Sequence, residues 1–107
     1  LCRRIQKINS FRERIRVSNS DACTIIEEMY WHPLTTILVD PPYYYQGKTL
    51  YKYYYDDDSH IQLNVLLENL YHGCPGADII LTYDNSSFIR DLYIYPDTEV
   101  ISRAYSI

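Results

Sequence analysis

Residues 43–60 read YYYQGKTLYKYYYDDDSH, and they hold seven of the chain's 13 tyrosines. Aromatic residues favour strands, and residues 46–49 between the two tyrosine runs are typical of a short turn. We therefore predict a hairpin of two antiparallel strands here. Because successive side chains of a strand point to opposite faces, each run places some tyrosines on the core and others at the surface.

The first 17 residues form a basic segment, with six Lys or Arg residues against one acid. Apolar residues recur there at the spacing of an amphipathic helix, as Leu1, Ile5, Ile8, Phe11 and Ile15. This pattern predicts a helix over residues 1–10. Residues 11–17 also alternate polar and apolar side chains as a strand does, so both structures stay open there.

A second helix is predicted after Ser20, which can cap it, since apolar residues recur at helical spacing beyond that point. Pro33 ends this helix, because proline disfavours helical geometry in the residue before it. Residues 34–39 are mostly apolar and predict a short strand, which Asp40 and the two prolines after it terminate.

A third helix is predicted over residues 60–71, where apolar side chains cover more than half of the circumference. Asp58 or Ser59 is expected to cap its first turn, and Gly73 is expected to end it in a left-handed conformation. Three predicted strands then complete the chain, over residues 78–83, 88–95 and 99–105.

Short, turn-like links join these last strands, and links of that length force antiparallel pairing. We therefore predict an α+β fold: an antiparallel sheet of about five or six strands with two or three helices packed mainly on one face. A chain of 107 residues is expected to form one compact domain, with residues 1–17 as a basic segment at its periphery.

The rest of the chain is acidic, with four basic residues against thirteen acids from Ser18 onward. Such a body repels nucleic acid and attracts basic proteins, so we predict a basic protein partner and no nucleic-acid partner. The basic segment can fold back on this body, or it can favour an anionic membrane surface or RNA. Because the chain begins at Leu1 rather than Met, we expect a missing leader that carries a signal or membrane anchor.

Three cysteines, Cys2, Cys23 and Cys74, are too few for a disulfide framework and too widely spaced for a zinc motif. In a reducing compartment all three act as small hydrophobic residues. Outside the cytosol Cys23 and Cys74 are the better pair, because both lie inside the predicted domain. We favour this bridge and, with it, a periplasmic or secreted location.

The predicted partner-binding residues are the tyrosines of the two runs and the acids that follow them: Tyr43, Tyr44, Tyr45, Tyr51, Tyr53, Tyr55, Asp56, Asp57 and Asp58. Aromatic side chains bury a large area on binding, and carboxylates accelerate the encounter with a basic partner. The acidic run also suits a solvated turn that caps the next helix. A divalent cation is a further alternative, although the spaced ligands of a calcium loop are missing.

The three histidines show no metal-ligand spacing, and no metal or cofactor is predicted. A nucleophile pair such as Cys74 with His72 lacks an activating context, so an enzyme is the least favoured class. The favoured function is a small acidic inhibitor or immunity-type protein that neutralises a basic partner such as a toxin. The alternative is an extracytoplasmic accessory or receptor-like domain of a membrane-anchored or secreted protein.

Overall fold

A computed structural model of the chain describes residues 1–50 and 52–102, apart from the side chains of residues 46, 48 and 50. The described residues form five α-helices, which are α1 (Cys2–Asn9), α2 (Ala22–Tyr30), α3 (Tyr44–Leu50), α4 (Asp57–His72) and α5 (Ser87–Leu92). They also form a 3-10 turn at Arg12–Arg14 and two strands, β1 (Thr36–Val39) and β2 (Asp78–Leu81).

The two strands pair in parallel, with Thr36 opposite Asp78 and Val39 opposite Leu81. They are joined through α3 and α4, a connection long enough to return the chain to the start of the second strand. The predicted α+β fold, with an antiparallel sheet of about five or six strands, is therefore wrong. The described part of the chain is mainly helical and has one two-stranded parallel sheet.

The tyrosine hairpin predicted within residues 43–60 is also wrong, because Tyr44–Leu50 form α3. The carboxylate of Asp84 accepts hydrogen bonds from the backbone N–H groups of Tyr44 (2.7 Å) and Tyr45 (3.2 Å). These bonds satisfy donors that have no partner within the first turn of a helix. A cap supplied from a distant part of the chain thus outweighs the local strand propensity of the tyrosines.

The predicted strand over residues 88–95 is replaced by α5, which begins after the N-cap Ser86. The Ser86 hydroxyl accepts a hydrogen bond from the Ile89 N–H at 3.3 Å, and both residues are buried. The predicted strand over residues 99–105 is not formed at residues 99–102, and residues 103–105 lie outside the described part of the chain.

The helix predicted over residues 1–10 is confirmed as α1, and residues 1–20 are exposed throughout. Within residues 11–17, Arg12–Arg14 form the 3-10 turn rather than a strand. The helix predicted after Ser20 is confirmed as α2, but its cap is Asp21, which accepts the Thr24 N–H at 2.9 Å. One compact domain with a peripheral basic segment stays a prediction.

The helix predicted over residues 60–71 is confirmed as α4, although it begins earlier. Its cap is Asp56 rather than Asp58 or Ser59, since the Asp56 carboxylate accepts the Ser59 N–H at 2.9 Å. Gly73 ends the helix as predicted, but its φ of −86° lies outside the left-handed region. The predicted strands at residues 34–39 and 78–83 are confirmed in part, as β1 over the last four residues of the first range and β2 over the first four of the second.

The core lies between α2, α4 and one face of the sheet. Its buried apolar cluster consists of Ile26, Val39, Leu63 and Leu67. Leu63, in the middle of α4, is 1% exposed. On the opposite face of the sheet, Leu38 lies across from Ile80, and these side chains are 68% and 53% exposed. The described part of the chain therefore covers one face of its sheet and leaves the other open.

Tyr30, the last residue of α2, fixes the turn between α4 and β2. Its hydroxyl lies 2.9 Å from the carbonyl oxygens of both Leu70 and Cys74. Its own carbonyl accepts the Ala77 N–H at 2.7 Å. A β-carbon on Gly76 would clash with that Tyr30 carbonyl oxygen, so the close approach of the two backbones requires glycine.

The predicted bridge between Cys23 and Cys74 is not formed, since all three cysteines are free thiols. Cys23 lies in the first turn of α2 and packs against the core, whereas exposed Cys74 follows α4. The residue of α2 that contacts Cys74 is Tyr30, at the other end of that helix. About 10 Å of helical rise separates Tyr30 from Cys23 along α2. Cys74 therefore lies near the opposite end of α2 from Cys23.

Replacing Leu63 by Ala is expected to lower the free energy of unfolding by about 2–5 kcal/mol, because it leaves a cavity in the buried cluster. Leu34→Ala is the matched control: its side chain is fully exposed, and its loss is expected to change stability by less than about 0.5 kcal/mol. Urea denaturation followed by circular dichroism measures both changes. Equal losses in the two variants would contradict the position of the core.

Candidate functional site

The carboxyl ends of β1 and β2 lie at the same edge of the sheet, because the strands are parallel. Asp40 follows β1 and Thr82 follows β2, and the Thr82 hydroxyl donates a hydrogen bond to Oδ1 of Asp40 at 2.6 Å. The Thr82 N–H donates to the Val39 carbonyl at 3.0 Å, which extends the pairing of the strands by one bond. In open α/β sheets ligands bind outside the carboxyl ends of the strands, and Asp40 lies at the corresponding edge of this two-stranded sheet.

Asp40 and Asp84 share this edge, but their hydrogen bonding differs. Both oxygens of Asp84 accept backbone N–H groups at the start of α3, so this carboxylate is part of the fold. Asp40 is exposed, and only its Oδ1 accepts a hydrogen bond from the described residues. Its Oδ2 is therefore open to a donor from outside the described chain.

An apolar groove of about 380 Å³ runs between α2, β1 and the segment after β1. Apolar side chains of α2 and β1 form much of its lining, together with Pro41, Pro42, Tyr55 and Leu63. Asp40 is the one charged residue among those that line it. The volume of this open groove falls within the range of small-molecule sites, and its lining is mostly apolar.

His60 is the buried centre of an aromatic cluster beside this groove. It is 1% exposed, and its Nδ1 lies 2.7 Å from the Tyr83 hydroxyl. Its ring lies 5.4 Å from that of Tyr55 and 5.6 Å from that of Tyr44, measured between centroids. Burial raises the pKa of Tyr83 well above its ordinary value, so the phenol stays protonated. The cluster thus packs α4 against the segments that follow both strands.

The predicted partner-binding tyrosines divide by exposure. Tyr45 and Tyr53 are 65% and 81% exposed, and Tyr54, which the prediction omitted, is 50% exposed. Tyr51 lies outside the described residues. These rings lie at the surface, and partner binding through them stays a prediction.

The other predicted tyrosines, Tyr43, Tyr44 and Tyr55, are half-buried. The Tyr44 ring stacks on that of Phe88, with 4.4 Å between their centroids. Tyr55 packs against the apolar core, and burial raises the pKa of its phenol. Tyr44 and Tyr55 thus already contribute to the packing of the chain itself.

Asp56, Asp57 and Asp58 are exposed and line a shallow depression of about 330 Å³ together with Tyr54. Burial raises the pKa of the Tyr44 phenol, and the negative charge of Asp57 adds to this rise. No Lys or Arg of the described chain pairs with these three acids. The ion pair found among the described residues joins Arg12 to Glu13. Among the side chains that the structure describes, no Lys or Arg therefore neutralises the negative charge of the three acids.

Sequence interpretation missed Asp40, Thr82 and the burial of His60. Asp40 and Thr82 are 42 residues apart, and only the parallel pairing of the strands brings them together. The available signal was an apolar strand that ends in an acid followed by two prolines. For His60 the signal was its place among the apolar residues of the most buried helix.

Residues 1–50 and 52–102 contain no group of three or more His, Cys, Asp or Glu side chains arranged to hold a metal ion. Among the same residues, no helix is both long and apolar enough to cross a membrane. No protein-family model, curated protein or solved structure matches the chain. The geometry of the described residues is therefore the basis of the functional proposals.

Hydrogen bonds from the Ser59 hydroxyl and backbone lower the pKa of Asp56 from its ordinary value of 3.8. A lowered folded-state pKa stabilises the fold above the unfolded-state value, and this contribution is lost as pH falls through the folded-state value. Asp56→Asn is therefore expected to lose less stability than the wild type below about pH 4. Urea titrations between pH 5 and pH 2 measure the difference.

The control for this titration is Asp91→Asn, which removes one negative charge from an exposed residue that caps no helix. It accounts for the general effect of a change in net charge. If Asp56→Asn and the wild type lose stability in parallel over the acid range, the cap does not contribute to the pH dependence.

Proposed function

We propose that the groove beside β1 binds a small planar ligand that carries an amino group, with Asp40 as the hydrogen-bond acceptor. The observation that supports this most strongly is the position of Asp40. It is the single charged residue that lines an apolar groove of about 380 Å³, and it lies at the carboxyl end of a parallel strand. Both features are typical of ligand sites in α/β proteins.

The chemistry of Asp40 selects the polar group of the ligand. An ionised carboxylate accepts hydrogen bonds and donates none. Its Oδ1 is held by Thr82, which orients the side chain and leaves Oδ2 toward a further donor. An exocyclic amino group satisfies this requirement, whereas a carbonyl oxygen in the same place repels the carboxylate and loses its own solvation.

The walls of the groove favour a planar body for the ligand. Pro41 and Pro42 are rigid rings, and Tyr55 adds an aromatic ring whose position is fixed by packing against the core. Flat apolar surfaces of this kind pack well against an aromatic heterocycle. Aminated heterocycles such as adenine combine both properties, so they form the ligand class that the groove fits.

The proposal is tested with adenine and hypoxanthine, which differ mainly in an amino group replaced by an oxo group. Adenine is expected to bind more tightly to the wild type, and Asp40→Ala is expected to weaken adenine binding by about 1.5–3 kcal/mol, the range for a hydrogen bond to a charged group. Isothermal titration calorimetry measures these affinities.

The matched control is Asp97→Ala, which removes an exposed acid outside the groove and should leave adenine binding unchanged. Binding of adenine and hypoxanthine with equal affinity, or equal affinities for Asp40→Ala and Asp97→Ala, would contradict the assigned role of Asp40. If neither adenine nor hypoxanthine binds, the proposed ligand class is wrong.

A second candidate function is the neutralisation of a basic protein, as expected of an inhibitor or immunity-type protein. The observation that favours it is the combination of exposed aromatic rings with unneutralised acids. Tyr53 and Tyr54 are 81% and 50% exposed, and Asp57 and Asp58 pair with no Lys or Arg of the described chain. Aromatic anchors supply area to be desolvated on binding, while carboxylates steer a cationic partner into place.

This candidate is tested with the double variant Asp57→Asn/Asp58→Asn, which keeps the helix cap at Asp56. The immobilised wild-type protein is first used to capture binding proteins from the native source. These proteins are expected to bind the variant with lower affinity, and that affinity is expected to depend less on salt concentration. The control pair is Asp91→Asn/Asp97→Asn, which removes the same charge elsewhere. A captured protein whose affinity and salt response are the same for both pairs rules out this surface as its binding site.

A further inference from the structure

Two apolar surfaces of the described chain are uncovered. One is the outer sheet face, where the apolar side chains of Leu38 and Ile80 lie beside the polar Thr36 and Asp78. These residues point away from the core because side chains alternate along a strand. The other is the apolar stripe of α1, where Ile5 and Ile8 are 57% and 60% exposed. No residue of α1 is buried. Each surface is of the kind that normally packs against another element.

All-parallel sheets occur in proteins almost only with both faces covered, usually by helices. The dimensions of α1 suit this role. A helix of eight residues is about 12 Å long, and strands of four residues are about 13 Å long. A helix diameter of about 10 Å is also enough to cover two strands about 4.8 Å apart.

The charges of the two surfaces are opposite. The polar residues of α1 include Arg3, Arg4 and Lys7, and the helix contains no acid. None of these cations forms an ion pair with another described residue. On the outer sheet face the charged residue is Asp78, and Asp40 follows the end of β1. Packing α1 on this face would therefore bring its cations toward unpaired carboxylates.

We propose that the chain forms a symmetric dimer in which α1 of each copy packs on the outer sheet face of the other. A twofold axis makes this exchange reciprocal, so both copies bury the same two surfaces at once. An anionic membrane is the other occupant that a basic amphipathic helix can bind. The thirteen acids beyond residue 17 repel such a surface but attract the basic helix of a second copy.

The dimer is tested by sedimentation velocity and by size-exclusion chromatography with light scattering at micromolar concentrations. The wild type is expected to be dimeric. Two charge-reversed variants are expected to be monomeric: one carries Arg3→Glu, Arg4→Glu and Lys7→Glu, and the other carries Thr36→Lys and Asp78→Lys. Each places like charges on both sides of the contact, and the dimer dissociation constant is expected to rise about tenfold or more.

An equimolar mixture of the two variants provides the decisive measurement. In a mixed dimer the acidic helix of one variant meets the basic sheet face of the other, and the second contact keeps its original charges. Restoration of a dimer with a 1:1 composition is therefore expected. Asp91→Lys/Asp97→Lys is the control, since it makes a similar change of charge outside both surfaces and should leave the dimer intact.

A variant with Ile5→Asp and Ile8→Asp tests the apolar part of the contact, and it should be monomeric without loss of the core because no residue of α1 is buried. Circular dichroism confirms that each variant is folded. A monomeric wild type overturns the proposal, whether or not it binds vesicles of phosphatidylcholine and phosphatidylserine. A dimer that survives both charge reversals overturns it as well, because its interface then lies elsewhere.

Discussion

The parallel pairing of β1 and β2 is the constraint on which the rest of the structure depends. It requires a long connection, which the chain provides as α3 and α4, and it brings both carboxyl ends to one edge. The hydrogen bond between Thr82 and Asp40, and the bonds from α3 to Asp84, follow from that arrangement. In an antiparallel hairpin these groups would lie at opposite ends of the strands.

This two-stranded sheet is stabilised mainly by the side chains that pack on its inner face. Leu63 and Leu67 of α4 meet Val39 of β1 and Ile26 of α2 in one buried cluster, so the packing of α4 and the alignment of the strands support each other. Tyr30 adds hydrogen bonds to this packing, because its hydroxyl and its carbonyl both bond to the segment between α4 and β2. The outer sheet face has no comparable cover among the described residues. The same alternation of side chains that builds the core therefore also creates the exposed apolar surface.

The helices that pack through a simple periodic pattern could be predicted from the sequence. The apolar residues of α1, α2 and α4 repeat at helical spacing, so the existence of these helices follows from local information. The segments that became α3 and α5 could not be recognised in this way. The α3 segment begins with two tyrosines and α5 contains Phe88 and Ile89, which favour strands. The first turn of α3 is capped by Asp84 from 40 residues away. Strand propensity is a preference for half-buried surfaces, and Tyr44 reaches such a surface within a helix, where its ring stacks on that of Phe88.

The candidate sites show the same division between local and distant information. The tyrosine and aspartate run is visible in the sequence because its members are consecutive, yet its neighbours decide what each member does. Asp56 caps α4, Asp84 holds α3 through both oxygens, and Asp40 keeps one oxygen without a described partner. These acids look alike in sequence, and each is followed or preceded by turn-forming residues. Their different roles are set by which donor groups the fold brings within reach of each carboxylate, and this cannot be read from the neighbouring sequence.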